Sequence, residues 1–117
     1  MSDLSGGLAR LVDRIGDARA ALVIESSGIE VATWGTANFE AVAAECAELW
    51  KRVRSSETLL RDRAAETLEV RNAEGAWLLL SLGDEYVLAL LSGPLVPPGK
   101  VRFYAKEWAI ENQEDFA

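Results

Sequence analysis

Histidine is absent from the 117 residues and cysteine occurs once, at Cys46. Those two absences remove the usual general bases, the thiol–imidazole dyads and the common zinc ligand sets. An internal disulfide is excluded as well. Basic residues are the minority, 12 Lys and Arg against 19 Asp and Glu, for a net charge of −7. Nucleic acid and anionic lipid need clustered cations, so the charge balance argues against both and favours basic or mixed protein surfaces. Proline is confined to Pro94, Pro97 and Pro98. The start, MSDLSGGLARL, has no basic n-region and no long apolar core, so neither a signal peptide nor a membrane span is expected and the cytoplasm is the expected location.

What is abundant is apolar residue, half of the chain. The densest stretch is Ala76–Leu91, AWLLLSLGDEYVLALL, two strand-length runs joined by Gly83-Asp84-Glu85. Gly-Asp suits a tight hairpin. Trp77 and Leu79 alternate with Leu78, Leu80 and Leu82, and Val87, Ala89 and Leu91 with Tyr86, Leu88 and Leu90. Both faces of these strands are apolar, which places them in the middle of a sheet covered by helices on both sides.

The remaining elements follow from periodicity. Leu4, Leu8, Leu11, Val12 and Ile15 predict a first helix, with Asp3 or Ser5 as its cap and Gly16 as its stop. Ala21–Ser26 and Ile29–Trp34 predict two strands around the Ser27-Gly28 turn, the second of them at an edge. From Ala37 to Val53 the period is helical, with Phe39, Val42, Ala43, Cys46, Leu49, Trp50 and Val53 as the sheet-facing stripe. Arg54–Ala65 reads equally as a continuation of that helix or as a loop. Glu66–Asn72 alternates as an edge strand would. A last helix follows the proline-rich loop, its buried side marked by Val101, Tyr104, Ala105 and Trp108 and widened by Phe103 and Ile110, before a frayed end at Glu114–Ala117. One domain, residues 1–117, is expected: an α/β chain of the α+β type, ordered α-β-β-α-β-β-β-α, with a five-stranded antiparallel sheet.

Candidate chemistry is thin. Cys46 falls on an apolar helix stripe, the setting of a structural thiol. Glu45 with Glu48, and Glu107 with Glu111, have helical neighbour spacing, for which a solvated face is the ordinary cause. Gly93–Val101, GPLVPPGKV, imitates a phosphate-binding loop, but five residues separate its glycines where four are required, and Val101 stands where Ser or Thr would hold magnesium. Three prolines also remove amide donors. Trp50, Trp77 and Trp108 lie on apolar faces, and Trp34 ends a strand. No cofactor, metal or enzymatic activity is expected.

Two features point to association. Ala37, Ala41, Ala44 and Ala47 form a small-residue face on the second helix beside Glu40, Glu45, Glu48, Lys51 and Arg52, fit either for a second helix or merely for helix propensity. The strand at Glu66–Asn72 lacks Pro and Lys and is a poorly protected edge. Paired antiparallel with its own copy about Val70, it would set Glu69 against Arg71 of the partner subunit.

The residues ALVIESSGIEVATWG, the Ala-rich second helix, the meander ETLEVRNAEGAWLLLSLGDEYVLALL and the helix from Gly99 together resemble the Roadblock, or dynein-light-chain, family over nearly the whole chain. Glu25 stands where the family more often has Asp. The resemblance implies a profilin-like fold that dimerises through the second helix and third strand into one continuous ten-stranded sheet. It also implies binding or regulation of a Ras-like small GTPase, as in bacterial MglB-type partners of MglA-type GTPases in polarity and gliding motility. On that footing the expected partner-binding residues are Glu45, Glu48, Lys51 and Arg52, and the expected dimer seam is Ala41, Ala44, Leu68, Val70 and Arg71. Arg52, Arg54, Arg61 and Arg63 are the nearest arginines, none marked as a catalytic finger, so stabilisation of the hydrolysis-competent switch conformation is the expected mode. A non-catalytic scaffold and a small-molecule sensor built on a profilin-like or PAS-like domain are the rival expectations.

Overall fold

A computed structural model describes residues 3–117. Helix α1, Leu4–Ile15, opens where the Asp3 carboxylate accepts a hydrogen bond from the Gly6 amide at 3.0 Å and closes at Gly16, whose φ of 96° glycine adopts freely. Strands β1, Ala18–Glu25, and β2, Glu30–Gly35, form the first hairpin. Helix α2 spans Phe39–Arg54, and a further turn, α3, spans Glu57–Leu60. The meander is β3, Thr67–Asn72, β4, Gly75–Leu82, and β5, Tyr86–Ser92. Helix α4, Pro98–Glu111, starts on a proline and precedes a 3₁₀ turn at Gln113–Phe116.

The five strands form one antiparallel sheet in the order β2-β1-β5-β4-β3. The doubly apolar strands are therefore central, and β2 and β3 are the edges. On one face Ala21, Val23, Leu78, Leu80, Leu88 and Leu90 pack with α1 and α4. On the other, Leu22, Ile24, Leu79, Val87 and Ala89 pack with Ala43, Cys46 and Trp50 of α2. Each fully buried Leu or Val here contributes about 2 kcal/mol of transfer free energy, the driving force for the two-sided cover.

Four expectations change. Arg54–Ala65 is neither one helix nor a plain loop: α2 stops at Ser55, α3 adds a single turn, and Arg61 and Asp62 then take left-handed φ of 54° and 63°. The element order becomes α-β-β-α-α-β-β-β-α. Ile29 lies just outside β2 and is exposed. On α4, Phe103 and Ile110 do not widen the buried side but stand 61% and 67% exposed, because the sheet takes up only the narrow stripe of Val101, Ala105 and Trp108. The C-terminal end is not frayed: Phe116 is buried, with ring centroids 5.5 Å from Tyr86 and 6.1 Å from Trp108.

Candidate partner interface

Helix α2 is fixed at its start by the Asn38 side chain, which accepts from the Ala41 amide at 3.3 Å, and it lies along the sheet with Phe39, Ala43, Cys46 and Trp50 inward. At 100° per residue its two flanks carry different chemistry. Ala44, Ala47 and Lys51 turn toward the β1–β2 turn. There a Cβ on Gly28 would lie 3.6 Å from Ala47 Cβ and 3.8 Å from Ala44 Cα, so part of the small-residue face is used within the chain. Val42, Glu45 and Cys46 turn the other way, toward β4, and with Trp77 they line a cavity of about 140 Å³. Ala41, Leu49 and Arg52 follow on this flank, and Glu48 sits on the outer crest.

Strand β3 pairs only with β4, leaving its outer edge open. Leu68 lies across from Leu79 and Val70 across from Trp77, so both point to the α2 face. Arg71 projects to the opposite face, where its guanidinium donates to Glu69 at 3.4 Å. An apolar strip thus runs beside α2, made of Val42, Leu49 at 44% exposure, the half-buried Trp77 and Leu68, and Val70 at 47%. Leu49 and Trp77 were not among the expected seam residues. Their signal in the sequence is Leu49 at the margin of the α2 stripe and Trp77 opposite Val70, but only the strand register joins them.

The expected partner-binding residues separate accordingly. Glu45 and Arg52, two helical turns apart, share the flank facing β3; Glu48 is on the crest; Lys51 is on the far flank. All four are exposed. Of the seam residues, Ala41, Leu68 and Val70 lie on or beside the strip, Arg71 lies on β3 pointing away from it, and Ala44 faces the β1–β2 turn. Arg54 and Arg63 line a cavity beneath the end of α2 with Trp50, and Arg61 lies in the loop after α3. Cys46 is buried, and desolvation, with the neighbouring Glu45 charge, pushes its thiol up to about 11, a structural rather than a reactive setting. No helix of the described residues is long and apolar enough to cross a membrane.

No family model and no curated protein matches the sequence. Solved structures do match. Myxococcus xanthus MglB is similar at 15% identity with a TM-score of 0.89, over 99% of this chain and 96% of that one. A Roadblock/LC7 domain from Streptomyces avermitilis is similar at 18% and 0.89, over 97% and 98%. An MglB described as having a tetrameric arrangement is similar at 19% and 0.85, over 95% and 85%. The likeness spans helices, sheet and both edges, and the chain therefore has the Roadblock/LC7 domain fold in the form seen in MglB.

Proposed function

We propose that this protein is a homodimeric binding partner and regulator of a Ras-like small GTPase of the MglA type. The observation that carries the reading is the open β3 edge beside a half-exposed apolar strip, in a fold shared with MglB. Two copies joined antiparallel at β3 about Val70 extend the sheet to ten strands and bring the two α2 helices side by side. The helix pair is then antiparallel, and a centre between Glu48 and Leu49 sets Glu45 facing Arg52 of the partner subunit and Leu49 beside Glu48 of the partner subunit. Glu69, already paired with Arg71 on its own β3, then faces Arg71 of the partner subunit across the same axis. The exposed side of the paired α2 helices, with Glu48 on the crest, Glu45 and Arg52 on the inner flank and Lys51 on the outer flank, forms the surface for one GTPase per dimer. No arginine is fixed there as a finger, so the role is to hold the GTPase switches in their hydrolysis-competent arrangement.

The direct test mixes the purified protein with an MglA-type GTPase loaded with a GTP analogue or with GDP. One GTPase bound per two chains in the GTP state, with faster hydrolysis, is the expected result; nucleotide-insensitive binding would make the protein a scaffold instead. The seam is tested by charge reversal. An exposed ion pair contributes about 0.5 kcal/mol, and the axis repeats it, so Glu45→Arg or Arg52→Glu alone weakens dimerisation about fivefold or more while the double reversal restores it.

A further inference from the structure

The cavity of about 140 Å³ between α2 and β4 combines three kinds of wall: the apolar Val42 and Cys46, the half-buried indole of Trp77, and the Glu45 carboxylate. It lies on the flank of α2 that faces β3, on the same side as the half-exposed Leu49 and Val70. A cavity of about 150 Å³ takes one group the size of benzene. An aliphatic side chain would fill such a space but leave the carboxylate beside it without a partner. A guanidinium suits both walls, since its plane stacks on an indole and its edge offers a fork of N–H donors to a carboxylate.

The chain carries one such group in the matching place. Of Ala41, Val42, Glu45, Leu49 and Arg52 on this flank, only Glu45 is acidic and only Arg52 basic, and neither forms an ion pair among the described residues. They stand two turns apart, about 10.5 Å along the helix, on one side of it. An antiparallel copy centred between Glu48 and Leu49 closes that gap, because each Glu45 comes level with Arg52 of the partner subunit and the contact is made twice about the axis. Neighbouring cations of α2 are not placed to compete: Lys51 lies on the far flank, and Arg54 lines the cavities at the end of the helix.

We infer that the cavity beside Trp77 is a socket for Arg52 of the partner subunit, whose guanidinium stacks on the Trp77 indole and pairs with Glu45, so that self-association is selective for arginine at position 52. The inference rests on the dimer of the proposed function and adds a dependence on the planar guanidinium that a charge pair alone lacks. Lysine keeps the charge as a point on a flexible stem and cannot reproduce the stacked fork. Double reversal of Glu45 and Arg52 does not separate the two cases, since it leaves a guanidinium and a carboxylate at the socket; the conservative substitution does.

Sedimentation equilibrium of the full chain at constant ionic strength gives the dimer dissociation constants of the wild type, Arg52→Lys, Trp77→Leu and the double variant, with circular dichroism verifying that each is folded. Arg52→Lys is expected to weaken the dimer about tenfold, because the loss is repeated at two sockets, and Trp77→Leu by a similar factor, while the double variant falls well short of the product of the two effects. Arg52 is exposed, so its substitution decides the question even where Trp77→Leu fails to fold. Dimerisation of Arg52→Lys within about twofold of the wild type, or a double variant weakened by the full product, would overturn the socket and leave the dimer standing; an apolar occupant would give the first of these results together with weakening by Leu49→Ala. A wild-type chain that stays monomeric would overturn socket and dimer together. No GTPase enters the measurement, so failure of the GTPase reading leaves its outcome unchanged.

Discussion

Replacing Phe116 by alanine should destabilise the protein far more than a change one residue from the end of the described chain ordinarily would. Its ring is 5% exposed and sits between Tyr86, at the start of β5, and Trp108 of α4. The Phe116 carbonyl is packed so closely on Gly83 that a Cβ there could not be accommodated, and Gly83 itself has a φ of 63°. Truncating a buried Phe costs about 3–5 kcal/mol, and the lower end applies because the site is at the rim of the core, where water and neighbours can partly fill the space. With an unfolding entropy of about 2.1 cal/mol/K per residue, a domain of this size loses roughly 4 °C per kcal/mol, so Phe116→Ala should lower Tm by about 12 °C. The assay is thermal and urea unfolding followed by circular dichroism at one fixed protein concentration, since association would otherwise shift Tm. A loss below about 1 kcal/mol would mean that the 3₁₀ turn is detached and that Phe116 is no part of the core.

Other outcomes follow from single groups. Cys46 ionises about two units higher in the folded chain, from 9.0 to about 11, because burial disfavours the thiolate. Its contribution to stability is thus complete below pH 9 and is lost as pH rises through 11; at pH 8 a disulfide reagent should react with native protein only at the rate of global or local opening, and much faster in urea. Trp108→Phe keeps the ring contact but removes the indole donor to Gly7 O, a carbonyl that keeps its place in the α1 hydrogen-bond ladder, and should cost about 1 kcal/mol in urea unfolding without altering dimerisation.

The sequence by itself determined the sheet and its centre. Runs apolar on both faces, such as Ala76–Leu82 and Tyr86–Leu91, have no stable place except between helices, and the alternation at Thr67–Asn72 permitted only an edge. Helix starts and stops at Asp3 and Gly16 were legible because capping is local chemistry. The functional surface was legible only in part. Periodicity marks which residues of α2 lie on one face, but which flank meets the β1–β2 turn and which meets β3 depends on how the helix is seated over the strands. Ala44 consequently faces Gly28, while Leu49 joins Val70 and Trp77. The same holds for Phe103 and Phe116. Both are aromatic residues near the C-terminal end, yet one is exposed and the other buried, because burial there is decided by the space between β5 and α4 rather than by hydrophobicity. The meeting of Arg63 with Arg54 and Trp50 likewise needed the turn of α3 and the left-handed Arg61-Asp62 pair to fold the chain back under α2, a reversal that no periodic pattern encodes.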